Sequence, residues 1–171
     1  MLRLALLRHS EAHPHAQGGD KERSLTKAGR KMATRMGKYC RDMGLVPDLS
    51  LVSPALRAKE TYEIVAEEIG QDLKVTFDPA LYNATSTTIK MLVAQVTSDH
   101  KLILVVGHNP GIAESAIALS GQGDPGMLAE MRAHFPAPAL AVIDFAIDSW
   151  AEIAAGQGVL DRFVTKTLLS G

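Results

Sequence analysis

The sequence lacks several features that would point to a specialised class of protein. It has a single cysteine, Cys40, so it cannot form an internal disulfide, which suits a reducing compartment. Its 18 basic and 19 acidic residues give a formal net charge of −1, which provides no broad field to attract nucleic acid or an anionic membrane. We therefore expect no nucleic-acid partner, and any recognition of an anion must be local.

Long hydrophobic runs are also missing. The apolar stretch from Leu4 to Leu7 is interrupted by Arg8 and is too short for a signal-peptide core, and no other run approaches a membrane span. No internal repeat or linker divides the 171 residues, whose hydrophobic fraction of 46% is ordinary for a globular protein. We expect a single domain over residues 1–171, no membrane partner and a cytoplasmic location.

The apolar residues that are present follow two alternating patterns. Short, continuously apolar runs predict buried strands at residues 2–7, 49–52, 75–77, 102–106 and 140–147. Apolar stripes with a spacing of three or four predict helices that begin near residues 26, 53, 89, 110 and 128. Ser53 is predicted to cap the second helix, and residues 151–155 are predicted to pair with the last strand. The core is predicted to include Met32, Met36 and Met43. This alternation predicts an α/β sandwich with a largely parallel sheet.

Unusual polar residues follow three of the predicted strands. The first strand runs into Arg8 and His9, the second is followed by Arg57, and the fourth runs into His108. Because the carboxyl ends of parallel strands share one edge of a sheet, we expect these four residues to meet in one crevice. Two guanidinium groups beside two helix N-termini would form a compact anion site, since guanidinium groups match phosphate oxygens with paired hydrogen bonds.

An imidazole in such a site can attack phosphorus. Neighbouring positive charge disfavours the protonated form of His9 and leaves a neutral nitrogen available as a nucleophile. Its second ring nitrogen needs a hydrogen bond to fix the tautomer, for which a backbone carbonyl is the expected acceptor. Arg8, Arg57 and His108 would then stabilise charge on the phosphoryl oxygens, the main task in phosphoryl transfer.

Three segments of the chain resemble, in the right order, the motifs of the histidine phosphatase superfamily, which has the phosphoglycerate mutase-like fold. These segments are residues 6–12, 53–61 and 106–111. Residues 23–29, 81–84 and 135–136 further resemble its short branch of bacterial phosphohistidine phosphatases. The resemblance extends from Leu4 to about Phe163, so it covers nearly the whole chain.

The resemblance implies a three-layer α/β/α sandwich with a mostly parallel central sheet, and no metal or organic cofactor. It implies a phosphohistidine phosphatase-like hydrolase in which His9 becomes phosphorylated while Arg8, Arg57 and His108 bind the phosphate. We expect a phosphorylated protein as substrate, because so short a chain leaves little sequence for lids that close over a small metabolite.

The sequence departs from the family in two places. Ser10 stands where the superfamily usually has glycine. Many members also carry a general-acid carboxylate in the crevice, often after the third strand, whereas residues 82–85 here contain none. Glu11, Asp20 and Glu22 in the first loop remain as candidate acids. An alkoxide needs a proton in order to leave, whereas a protonated phosphoimidazole departs as a neutral amine, so this absence predicts a preference for phosphohistidine.

Three alternatives remain open. The cluster of His9, His13 and His15 would suit a metal hydrolase, although it lies in a loop without a nearby cysteine. A non-catalytic phosphate-binding module could keep the same pocket without its chemistry. A small-metabolite or sugar phosphate phosphatase or mutase of the same superfamily would share all four site residues.

Overall fold

A computed structural model describes residues 1–170 of the chain. The strands within this range are β1 (Leu2–Arg8), β2 (Leu49–Val52), β3 (Val75–Phe77), β4 (Leu102–Gly107), β5 (Ser120–Gly123), β6 (Ala139–Phe145) and β7 (Gly158–Thr165). The helices are α1 (Lys27–Asp42), α2 (Leu56–Ile69), α3 (Ser86–Ala94), α4 (Gly111–Leu119), α5 (Pro125–Ala133) and α6 (Lys166–Ser170). Short 3₁₀ turns lie at Asp20–Glu22, Pro79–Leu81 and Trp150–Glu152.

The strands form one sheet in the order β3-β2-β4-β1-β6-β7-β5. The four strands from β3 to β1 are parallel neighbours, and β5 is parallel to β7. The strand β6 runs antiparallel to both of its neighbours, β1 and β7. The predicted α/β class with a mostly parallel sheet is confirmed.

Helices cover both faces of the sheet, which explains why β1 is apolar at nearly every position. Leu4 and Leu6 pack into the core that includes residues of α3, α4 and α5. Ala5 and Leu7, which point the opposite way along the strand, pack with residues of α1 and α2. The result is the predicted three-layer sandwich. No helix within residues 1–170 combines the length and the apolar character needed to cross a bilayer.

Some local predictions were wrong. The second helix begins at Leu56 rather than at Ser53, because the Ser53 side chain is used elsewhere and Ala55 precedes the first turn without a side-chain cap. Residues 151–155 are not a strand, since Ser149 and Glu152 form a capping box around a 3₁₀ turn. The strand that follows β6 and pairs with it is β7, and β5 lies in a segment for which no strand was predicted. Met43 is 52% exposed, outside the core.

The register of three parallel strands determines where the polar residues lie. Arg8 of β1 pairs with Gly107 of β4, and Val52 of β2 pairs with Val106 of β4. One residue further on, the backbone N–H of His9 donates to the carbonyl oxygen of Gly107 at 3.1 Å. The three strands therefore end at the same level, and the residues that follow them share one edge of the sheet.

Candidate active site

Two buried histidines stand together at this edge. The rings of His9 and His108 lie 5.2 Å apart between centroids, and each residue is only 8% exposed. Arg57, from the first turn of α2, is 5% exposed beside them, and Arg8 lies at the end of β1. The fold thus brings together the four residues that the sequence singled out.

The geometry of His9 leaves one ring nitrogen free for chemistry. Its Nδ1 lies 2.7 Å from the carbonyl oxygen of Ser10, which can only accept, so Nδ1 carries the proton and Nε2 has the lone pair. Burial lowers the pKa of His9 to about 3, and the positive charges of His108, Arg57 and Arg8 act in the same direction. His9 is therefore a neutral imidazole near pH 7, with the carbonyl partner that was predicted.

Ser10, the neighbour of His9, forms hydrogen bonds to helices α1 and α2. Its backbone N–H donates to the Oγ1 of Thr61 at 3.0 Å, and its own hydroxyl donates to the carbonyl oxygen of Gly29 at 2.6 Å. Gly29 is required at this contact, because a Cβ there would lie 2.0 Å from the carbonyl oxygen of Glu11. The serine that replaces the usual glycine therefore gains a hydrogen bond to α1.

Three polar atoms of the site are buried without a hydrogen-bond partner among the described residues. They are the Nε of Arg8, the Nε of Arg57 and the Nδ1 of His108. One terminal nitrogen of Arg8 and both of Arg57 have protein partners: Arg8 Nη1 donates to the carbonyl oxygen of Phe135 at 2.9 Å, and Arg57 donates to Asp20. A buried unpaired group costs about 1–3 kcal/mol, and the oxygens of a tetrahedral oxyanion would supply the acceptors that these donors lack.

Two residues that were not among the predicted site residues contact His108. Its Nε2 lies 2.7 Å from the Oγ of Ser53, and the ring of Tyr82 meets it edge to face at 5.7 Å between centroids. Burial and the charge of Arg57 lower the pKa of His108 to about 4. Ser53 directly follows β2, and its position beside the crevice could have identified it from the sequence. Nothing in the sequence links Tyr82 to His108.

Asp20 is the candidate acid that the fold places beside Tyr82. The sequence has no carboxylate beside Tyr82, but the first loop brings Asp20 there, and the Tyr82 hydroxyl donates to its Oδ2 at 2.5 Å. This hydrogen bond, together with those from Arg23 and Arg57, lowers the pKa of Asp20. Asp20 is therefore ionised and not poised to donate a proton.

The other two carboxylates are placed differently. The Oε2 of Glu11 accepts from the Oγ1 of Thr26 at 2.7 Å, beside the start of α1. Glu22 makes no side-chain hydrogen bond or ion pair within residues 1–170.

The histidine-rich loop does not form a set of metal ligands. His13 and His15 are exposed, and no group of three His, Cys, Asp or Glu side chains in the described chain is arranged to hold a metal ion.

Comparisons with known proteins identify the family and the fold of this chain. The family model of the histidine phosphatase superfamily (branch 1) matches residues 4–102. An uncharacterised chloroplast protein of Arabidopsis thaliana is 30% identical over 129 residues, which are 70% of this chain and 59% of that protein. A phosphohistidine phosphatase SixA homologue of Haemophilus influenzae is 30% identical over 133 residues, covering 72% of this chain and 80% of the homologue.

A solved structure extends the likeness to the whole fold. The candidate phosphohistidine phosphatase SixA of Nakamurella multipartitia superimposes with a TM-score of 0.84 at 30% identity, covering 96% of this chain and 95% of that one. The family match spans more than half of the sequence and includes β1 and β2, two of the three strands that carry the site. This chain belongs to the histidine phosphatase superfamily.

Proposed function

We propose that this protein is a phosphatase that transfers a phosphoryl group to Nε2 of His9 and then to water, and that its substrate is a phosphohistidine on another protein. The observation that carries the proposal is the group of three unpaired polar atoms around a neutral, buried histidine. Superfamily membership and the likeness to SixA proteins support the phosphatase activity.

The first step is the attack on phosphorus. Arg8, Arg57 and His108 hold the oxygens of the phosphoryl group, and the lone pair of Nε2 on His9 forms the N–P bond while the bond to the leaving group breaks. The ring of His9 becomes positively charged, and its Nδ1–H continues to donate to the carbonyl oxygen of Ser10. Burial disfavours a positive charge on the His9 ring. The negative charge of the bound phosphoryl group compensates for this effect.

The second step regenerates the enzyme. A water molecule attacks phosphorus, the N–P bond breaks, and the electron pair returns to Nε2 of His9, while the protons of the water stay on the inorganic phosphate or pass to solvent. The same cationic groups, Arg8 and Arg57, stabilise the phosphoryl oxygens in this transition state, and inorganic phosphate then leaves. His9 returns to the neutral tautomer that the Ser10 carbonyl selects.

The leaving group favours phosphohistidine. Asp20, the carboxylate that contacts Arg57, is ionised and already accepts from Arg57, Tyr82 and Arg23. An alkoxide that leaves without a proton is strongly basic, and a positioned acid is typically worth about 10²–10⁴-fold in rate. A phosphorylated imidazole that has taken up a proton on its second ring nitrogen departs as a neutral imidazole, whose conjugate acid has a pKa of about 6.5, so no acid on the enzyme is needed.

Turnover on three substrates tests the proposal. We expect kcat/KM to be highest on a protein phosphorylated on histidine by phosphoramidate, intermediate on 4-nitrophenyl phosphate and lowest on a phosphoserine peptide. His9→Ala should abolish all three activities, while His13→Ala, which removes an exposed histidine of the next loop, should retain them. Equal turnover of phosphoserine and phosphohistidine would contradict the proposed substrate. Full activity of His9→Ala would contradict the proposed chemistry.

A further inference from the structure

Asp20 contacts Arg57 in a way that differs from an ordinary surface ion pair. Its carbonyl oxygen accepts from Nη1 of Arg57 at 2.8 Å, and its Oδ2 accepts from Nη2 at 3.0 Å. The side chain of Arg57 is 6% exposed and that of Asp20 is 47% exposed. An exposed carboxylate contributes little to stability through such a pair, but here it fixes a buried guanidinium at both terminal nitrogens.

Asp20 does not use all of the N–H donors of Arg57. A guanidinium group has five N–H donors, one on Nε and two on each terminal nitrogen. Asp20 accepts one from each terminal nitrogen, which leaves the Nε donor and one further donor on each terminal nitrogen. The Nε of Arg57 is buried and unpaired among the described residues, so Arg57 can bind Asp20 and an oxyanion at the same time.

Asp20 is itself held from several sides. Arg23 donates through Nη1 to its Oδ1 at 2.9 Å and, through Nε, to the carbonyl oxygen of His13 at 2.6 Å. The Tyr82 hydroxyl donates to its Oδ2. The end of the loop is fixed to α2, the helix that carries Arg57, because the backbone N–H of Leu25 donates to a carboxylate oxygen of Glu60 at 2.9 Å. A carboxylate held this firmly can determine the direction of the arginine that it binds.

We propose that Asp20 is a positioning residue, which holds both terminal nitrogens of Arg57 and thereby directs the Nε donor at the phosphoryl group of the substrate. The inference rests on the proposed function and adds a residue to it. Asp20 acts only through Arg57, so its removal leaves the guanidinium of Arg57 misaligned with the phosphoryl group in the transition state. Removal of its negative charge also leaves the anion site more positive, which favours the bound substrate.

Steady-state kinetics of Asp20→Asn test this role, with Glu22→Gln as the matched control, because Glu22 lies in the same 3₁₀ turn and its change removes the same charge. We expect Asp20→Asn to lower kcat by about 10- to 100-fold, as misalignment of a catalytic group does, with KM unchanged or lower. Glu22→Gln should behave as the wild type. In an Arg57→Lys background, Asp20→Asn should lower kcat by less than about twofold further, because the residue through which it acts is already changed.

Two other roles for Asp20 predict different results. If Asp20 were a general acid, its loss would slow phenyl phosphate, with the more basic leaving group, more than 4-nitrophenyl phosphate. If it blocked the site in competition with phosphate, its removal would raise kcat/KM. Either result would overturn the positioning role, as would losses that multiply in the double variant or an equal loss in Glu22→Gln. The positioning role predicts the same factor for both aryl esters.

A spectroscopic readout separates this inference from the proposed function. The side-chain ¹H–¹⁵Nε resonance of Arg57, assigned by its absence in Arg57→Lys, should be sharp with inorganic phosphate present. It should broaden or shift towards the free-arginine position in Asp20→Asn but not in Glu22→Gln. An unchanged resonance would overturn the positioning role even in an active phosphatase. Absence of turnover on every substrate would overturn the proposed function while this readout still tests Asp20.

Discussion

The Nε2 atom of His108 lies 2.7 Å from the Oγ atom of Ser53, and this contact joins the ends of β4 and β2. The same Oγ accepts from the backbone N–H of Ala55 at 3.3 Å and keeps its own proton, which it can donate to Nε2. His108 then carries its own proton on Nδ1, the buried atom that has no partner within the described chain. With this donor arrangement, Ser53 would stabilise the tautomer in which Nδ1 of His108 can donate to a phosphoryl oxygen.

Loss of this contact should weaken catalysis without unfolding the protein. We expect Ser53→Ala to lower kcat/KM by about tenfold, which corresponds to the net contribution of one hydrogen bond. Ser120→Ala is the control, since it removes another buried hydroxyl, one that has no partner among the described residues. An Ser53→Ala enzyme with wild-type turnover would show that His108 is oriented without this serine.

The two arginines should not tolerate lysine, although the charge is kept. An ammonium group cannot reproduce a planar set of donors that binds protein oxygens on one side and an oxyanion on the other. We expect Arg8→Lys and Arg57→Lys each to lower kcat/KM by about a hundredfold, similar to the loss of an oxyanion donor. Arg41→Lys changes an exposed arginine on α1 and should leave turnover unchanged. Near-normal activity of Arg57→Lys would mean that its buried guanidinium serves only packing.

Stability should fall as the pH is lowered from 6.5 to 5. In the unfolded chain a histidine binds a proton with a pKa of about 6.5, whereas burial lowers the pKa in the folded protein to about 3 for His9 and about 4 for His108. The unfolded state therefore binds more protons in this window, and the free energy of unfolding rises with pH. Each fully titrating histidine contributes at most about 1.4 kcal/mol per pH unit.

Urea unfolding at pH 6.5 and pH 5 measures this effect. The free energy lost between the two pH values should be smaller in His9→Gln than in the wild type, because one of the two buried neutral histidines is gone. His13→Gln removes an exposed histidine and should follow the wild type. A pH dependence that is identical in the wild type and His9→Gln would show that His9 is not held neutral by the fold.

The sequence predicted the residues that follow the strands but not those that reach the site from loops. Arg8, His9 and His108 could be placed because each lies within two residues of the end of a buried apolar run, and parallel strands end at one edge. The contact between Asp20 and Tyr82 joins positions 62 residues apart, and no periodicity relates them. It depends on the path of an irregular loop, which side-chain hydrogen bonds determine.

Other errors arose where one residue type suits two structures. Ser53 followed by Pro54 is a common helix start, yet the serine hydroxyl binds a histidine instead. The strand β5, Ser120–Gly123, is rich in glycine and has no apolar residue, so it has the composition of a loop and is a strand only because β7 pairs with it. Tertiary pairing overrides local propensity at such positions.

The central claim is that His9 is the residue that becomes phosphorylated, and trapping the phosphoenzyme tests it most directly. The protein is mixed with ³²P-labelled substrate, quenched in base during turnover, digested and mapped. The label should lie on His9, survive alkali and be lost in acid, as a phosphoramidate is; it should be absent from His9→Ala and present in His13→Ala. Label on any residue other than His9, or wild-type turnover by His9→Ala, would contradict the account.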